Sequence, residues 1–224
     1  AVSKATGLLA PDGLSFPPCG VDDLPQVLRP QTEGGVLHHR GQVEVISSLR
    51  RDGSPIQRDL RWGVYVVFAG GSDYVERCFK EYGLVTDTSG QYSALYKPFH
   101  LIGLELGISV ASVGLRNEPT GVPIGFNADV VATAQRDLAA GEMLDGEGGY
   151  TVYGKVMPAE ESMRIGGLPL GLAQKVRLVN AIASGQQVRW DDVEIDESQS
   201  AVAFRRSMER ATAILEDEAI VSAT

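Results

Sequence analysis

A nine-residue pattern occurs twice in the second half of this chain, and it limits what that half can become. Arg136-Asp137-Leu138-Ala139-Ala140-Gly141-Glu142-Met143-Leu144 returns as Asn180-Ala181-Ile182-Ala183-Ser184-Gly185-Gln186-Gln187-Val188, with the two glycines 44 positions apart (185 − 141). Each copy reads as an apolar residue, two small residues, a turn glycine, two mostly polar residues and another apolar residue. A strand folding sharply back beside its partner needs this order, because glycine accepts a positive φ without a Cβ clash. The second copy continues into Arg189-Trp190-Asp191-Asp192-Val193-Glu194-Ile195, where Trp190, Val193 and Ile195 supply apolar surface and the acids face water. The pattern predicts a compact β module, duplicated and folded on itself.

The first half reads differently. Residues 1 to about 60 are rich in Gly, Pro and Asp and read as loops, with one strand at Val43-Glu44-Val45-Ile46 and a short helix. Gly63-Val64-Tyr65-Val66-Val67-Phe68 predicts a buried strand, being β-branched and aromatic and closed by Gly70-Gly71. Asp73 to Tyr82 fits a helix with Ser72 or Asp73 as its cap and Gly83 as its stop. Gly121 to Gly125 reads as a linker, and Ala159 to Arg164 as one helical turn. In the tail, Ala201, Phe204, Met208, Ala211, Leu215 and Ala219 fall on one helical stripe opposite Arg205, Arg206, Glu209 and Arg210. A C-terminal helix docked by that stripe, on its own domain or on a sister subunit, is expected.

The wording of the two repeat copies, with Leu168-Pro169-Leu170-Gly171-Leu172-Ala173 between them, resembles the SAF domain, a small β-clip fold. Tyr96-Lys97-Pro98-Phe99-His100-Leu101-Ile102-Gly103-Leu104-Glu105 and Asp145-Gly146-Glu147-Gly148-Gly149-Tyr150-Thr151-Val152-Tyr153-Gly154 extend the likeness. They resemble the C-terminal part of SAF-containing, homoserine dehydrogenase-like oxidoreductases, over most of the chain from about Ala5 to Asp196. The resemblance implies an α+β chain: part of an α/β catalytic and dimerisation domain over residues 1–126, an SAF-like β-clip over 127–196 and a C-terminal helix over 197–224. With its fifteen-residue length, it also implies a buried helix over Leu101 to Leu115, where Gly103 and Gly107 let a neighbouring element approach.

Composition is consistent with this but does not select it. At 224 residues, 43% hydrophobic and 22% charged, the chain is ordinary for a globular protein of one large or two small domains. The net charge of −9, from 29 acids against 20 bases, argues against non-specific nucleic-acid binding, which needs a basic face. A local Arg or Lys pocket for a phosphorylated metabolite remains compatible with an acidic protein. Cys19 and Cys78 stand far apart without CxxC spacing, so they read as two reduced thiols. No apolar run approaches the ~20 residues of a membrane span, and no basic-then-apolar leader is found, so a cytoplasmic protein is the default expectation.

Neither G-x-G-x-x-G after a strand nor a G-x-x-x-x-G-K-[ST] loop occurs, and the chain begins without Met. Under the resemblance, this segment starts inside the catalytic domain. NADP or NAD is then bound by an upstream Rossmann domain, no residue here is assigned to the cofactor, and the segment alone is not expected to turn over substrate. Involvement of a divalent metal is left open.

The candidate catalytic residues are Lys97, His100 and Glu105. Lys97 and His100 place an ammonium and an imidazole three residues apart, one suited to hold a phosphate or polarise a carbonyl and the other to relay a proton. The plainer reading makes His100 a helix cap and Lys97 a surface charge. Glu105, between Leu104 and Leu106, is expected to be paired with Arg116 or Lys97 or to have a raised pKa. Thr6, Gly7 and Arg116 are the substrate-binding candidates: Thr6 and Gly7 match the family's Ala-Thr-Gly segment, whereas Lys4 departs from it. His38-His39 reads as a solvated loop and Asp191 to Asp196 as a solvated strand edge, so no metal site is assigned.

The resemblance therefore implies the C-terminal part of an NAD(P)H-dependent oxidoreductase acting on a small sugar phosphate or hydroxy acid and assembled as a homo-oligomer. The family includes a 1-deoxy-D-xylulose 5-phosphate reductoisomerase-like branch in isoprenoid precursor synthesis. The alternative is a stand-alone SAF-type module that binds a carbohydrate or a protein partner without catalysis; such a module has no need of Lys, His and Glu around a buried helix.

Overall fold

The computed structural model describes the backbone of residues 1–222 and the side chains of residues 1–213. Helices and three small antiparallel sheets alternate along the chain, an α+β fold as expected. Two compact units form: Leu14–Pro123, and Ala1–Gly13 together with Ile124–Thr224. The first thirteen residues thus group with the C-terminal part rather than with residues 14–123. They are tied there by Ile124 N–H donating to the Lys4 carbonyl at 2.7 Å, Gly13 N–H donating to the Val156 carbonyl at 2.9 Å, and a 2.8 Å Lys155–Asp12 ion pair.

In the Leu14–Pro123 unit, helix α2 (Leu24–Val27) packs with Cys19, Val21, Leu28, Leu60 and Ala94 as a small core; α1 is Val2–Thr6 in the other unit. Strands β1 (Val64–Ala69) and β2 (Tyr92–Lys97) form an antiparallel ladder from Val64 opposite Lys97 to Ala69 opposite Tyr92. Side chains alternate across the pleat, so Tyr65 and Val67 face the core while Val64, Val66 and Leu95 stay exposed. The expected buried strand is therefore buried on one face only. The expected strand at Val43–Ile46 does not form, and single bridges join Ser47 to Pro18 and Leu49 to Pro55 instead. Helix α3 (Asp73–Glu81) begins as read, with the Ser72 hydroxyl accepting from Val75 N–H, and stops before Gly83 at φ 67°.

Helix α4 (Ile102–Arg116) forms at the expected place but is not buried. Leu104 is 82% exposed and Leu115 85%, only Ser112 is buried, and no atom stands within 4 Å of a Cβ added at Gly103 or Gly107. An apolar period identifies the helix; whether anything covers it depends on neighbours, and the unit's small core is already filled by α2 and one face of the β1–β2 ladder.

In the other unit, β3 (Ala128–Ala134) pairs with β5 (Val152–Pro158), and β6 (Gln174–Leu178) lies between β4 (Met143–Asp145) and β7 (Val193–Glu194). Helix α5 (Ala159–Ile165) follows β5. The two repeat copies meet each other. Leu138 and Ile182, 44 positions apart (182 − 138), exchange both backbone hydrogen bonds at 2.8 and 3.0 Å. Gly141 N–H donates to Leu178 O and Gly185 N–H to Ala134 O, both at 2.8 Å, again a pair related by 44 positions. The turns are held alike, Glu142 accepting from Ala139 N–H and Gln186 from Ala183 N–H. Leu138, Leu144, Ile182 and Val188 point into one shared core with Val152 and Leu168.

Helix α6 (Ser200–Ser222) docks by a different stripe from the one expected. Val202 is buried and Phe204 is 75% exposed. Arg205 is packed in, bonding the buried Asp129 carboxylate, pairing with Glu209 at 2.7 Å and stacking over Phe126, while Arg206 lies 3.9 Å from the Trp190 ring centre. Arginine stems and flat guanidinium planes cover aromatic surface while their charges are met by carboxylates, which an apolar-stripe reading does not register. The side chains of Leu215 and Ala219 lie outside the described residues.

Candidate functional site

Lys97 ends β2 and Glu105 lies in the first turn of α4, with Pro98 to Leu101 as the corner between them. Three contacts fix that corner. Val64 stands opposite Lys97 in the ladder, Trp62 bridges to Phe99, and His100 N–H donates to the Trp62 carbonyl at 2.6 Å. Gly63 permits the approach: a Cβ there would meet the Lys97 carbonyl oxygen at 2.3 Å.

The corner brings the three catalytic candidates together. The Lys97 ammonium bonds Glu105 Oε1, and His100 Nδ1 donates to Glu105 Oε2 at 2.7 Å. His100 therefore does not cap α4, whose N-cap is Leu101 without a side-chain bond. The Lys97 ammonium, and then His100, hold the Glu105 carboxyl below the usual carboxylate range, so the alternative of a raised pKa does not apply. Ionised Glu105 accepts from both neighbours, and with Nδ1 carrying the proton the imidazole presents Nε2 as an acceptor. The cluster is half exposed, and Trp62 and Phe99, which bridge by their backbones at the same corner, are exposed too.

Arg116 is not part of it. It lies eleven residues along α4 from Glu105 (116 − 105), roughly 16 Å at the helical rise, next to Glu118 at 3.6 Å and Ser112. Thr6 and Gly7 belong to the other compact unit and close α1: the Thr6 hydroxyl donates to Val2 O, and Gly7 is the C-cap at φ 76°. Sequence reading missed Trp62 and Gly63, which position His100 and Lys97; the Trp62-Gly63 step directly ahead of the strand is the one signal in the sequence.

Residues 1–106 match the family model described as "Oxidoreductase DRL, catalytic domain". No curated protein matches the chain. The matched segment contains Lys97, His100 and Glu105 and ends one residue beyond the last of them. The match supports an oxidoreductase function.

The glycine loop between a parallel strand and a helix N-terminus, by which a Rossmann fold holds a dinucleotide pyrophosphate, does not occur among the described residues, whose strand ladders are antiparallel. Nor do three or more His, Cys, Asp or Glu side chains gather as metal donors among the described residues. No helix among them is long and apolar enough to cross a membrane.

Proposed function

We propose that Lys97, His100 and Glu105 are the proton-handling and oxyanion-binding groups of an oxidoreductase acting on the carbonyl or hydroxyl of a small sugar phosphate or hydroxy acid. The observation that carries this reading is the convergence of a Lys ammonium and a His imidazole on one carboxylate inside the segment that matches an oxidoreductase catalytic domain.

The roles follow from the bonds. Lys97 donates to a substrate oxygen and stabilises the negative charge that develops there. His100 Nε2 accepts the proton when a hydroxyl is oxidised, and the protonated ring returns it when a carbonyl is reduced. Glu105 touches both and acts as a positioning residue: it holds the Nδ1–H tautomer and keeps the ammonium beside the imidazole. In the same proposal, the nicotinamide cofactor, NADP or NAD, is held by residues other than those described, the second unit is an SAF-like β-clip, and the working enzyme is a homo-oligomer. The homoserine dehydrogenase-like family, with its 1-deoxy-D-xylulose 5-phosphate reductoisomerase-like branch, is the setting the sequence resemblance supports.

The test is substrate-dependent NAD(P)H oxidation by the product of the complete open reading frame, on a panel of sugar phosphates and hydroxy acids. Lys97→Ala and His100→Ala are each expected to lower kcat by about 10²- to 10⁴-fold with the fold retained. Undiminished turnover in both folded variants removes these residues from the chemistry.

A further inference from the structure

A second, separate cluster of cations lies in the Leu14–Pro123 unit. Of its eight arginines, Arg29, Arg40, Arg58, Arg61 and Arg116 each meet a carboxylate: Asp87, Glu33, Asp22, Asp59 and Glu118. Arg50, Arg51 and Arg77 do not pair among the described residues, and the first two line one cleft of about 540 Å³ together with Cys19, Gly20, Asp23 and Gln57. The cleft opens to solvent, with Asp23, Arg50, Arg51 and Gln57 exposed along it.

The walls are tied together by backbone bonds. Ser47 N–H donates to Pro17 O at 2.9 Å and Cys19 N–H to Ser47 O at 3.3 Å on one side, and Ile56 N–H to Ser48 O at 2.9 Å on the other. A Cβ on Gly20 would stand 2.8 Å from the Gln57 carbonyl oxygen, so the two walls touch where only glycine fits. Arg50 Nη1 donates to Pro55 O at 2.9 Å. The Ser54 hydroxyl and amide, and then the Arg50 charge, hold Asp52 on the same turn below the ordinary carboxylate value, so this carboxylate stays ionised beside Arg50. Burial, and then Asp23, push the Cys19 thiol up to about 12, so it stays neutral and adds no negative charge. The remaining charge that lines the cleft is the Asp23 carboxylate, an acceptor for hydroxyl groups.

We propose that this cleft binds a small phosphate monoester, with Arg50 and Arg51 on the phosphate and Asp23 on an adjacent hydroxyl. Two neighbouring guanidiniums present forked donors to phosphate oxygens, and a local basic pocket of this kind is compatible with an acidic protein. The site shares no residue with the Lys97 cluster and stands whether or not the oxidoreductase reading does.

The test is a titration of the 224-residue chain with glycerol 3-phosphate and with inorganic phosphate, followed by amide NMR shifts. Saturable shifts centred on Gly20, Arg51 and Gln57 are expected, with the ester binding tighter than inorganic phosphate. Arg51→Gln, whose side chain makes no bond that the fold needs, is expected to weaken the ester about tenfold. Asp23→Asn is expected to erase the preference for the ester. Arg77→Gln, which removes an equal charge elsewhere, is expected to change nothing. Unsaturable shifts, equal losses in Arg51→Gln and Arg77→Gln, or no loss in Arg51→Gln would each overturn the proposal.

Discussion

Glu105 shows how much one side chain can organise. It draws an ammonium and an imidazole to its two oxygens, and the same contacts keep it ionised. Glu105→Gln is expected to free the His100 tautomer: long-range ¹⁵N–¹H spectra are expected to give the Nδ1–H form in the wild type and a shift toward Nε2–H in the variant, with the fold unchanged. A wild type already dominated by Nε2–H would remove the positioning role. Asp129 is the contrasting case. Burial raises its carboxyl, but Arg205, the Ser162 hydroxyl at 2.6 Å and the Val130 amide outweigh burial and bring it below the ordinary value. A carboxyl depressed in the folded chain stabilises fully above its unfolded value of ~3.9 and loses that contribution as pH falls through the folded value. Docking of α6 is therefore expected to weaken in acid, read as rising hydrogen exchange around Val202. Asp129→Ala leaves Arg205 without its main partner in a buried place, and a loss of about 3–5 kcal/mol is expected in urea unfolding.

At the scale of elements, the repeat is the part where local pattern and final structure agree most closely. Gly141 and Gly185 sit at φ 84° and 80° and donate to partners related by the same 44 positions. Gly141→Ala and Gly185→Ala are each expected to cost about 1–2 kcal/mol, and by nearly equal amounts, because each forces a Cβ into the same left-handed turn. Strongly unequal losses in thermal unfolding would show that the two turns are not equivalent. Helix α4 is the opposite case. Its sequence sets its length and its start, yet its apolar side chains find no cover among the described residues. Helix α6 is intermediate: its extent follows the period, but its docked face is chosen by Asp129, Phe126 and Trp190, which lie far away in sequence.

For the whole molecule, the decisive fact is that residues 1–13 belong to the same compact unit as residues 124 onward. The segment from Glu118 to Pro123 is exposed and without regular structure, which makes it the expected site of limited proteolysis. A cut there leaves the N-terminal fragment tethered through its first residues, by the Lys4–Ile124 and Gly13–Val156 backbone bonds and the Asp12–Lys155 pair. The two fragments are expected to co-elute under native conditions and to separate in denaturant. Separation without denaturant would show that the N-terminal segment does not hold.

By itself, the sequence determined the features that depend on neighbours in the chain: the turn glycines of the repeat, the Ser72-capped helix, the extent of α4, and the presence of Lys97, His100 and Glu105 within nine residues of one another. These follow from backbone sterics, capping and helical period, all of which act over a few residues. Tertiary structure decided what depends on distant partners. It chose Lys97 rather than Arg116 for Glu105, because the β2-to-α4 corner is held by Trp62 and Gly63, just ahead of β1. It left one face of β1 and nearly all of α4 exposed, and it turned the arginine face of α6 inward. It also set Arg50 and Arg51 against Gly20 and Asp23, about thirty residues away, a juxtaposition that no local pattern encodes.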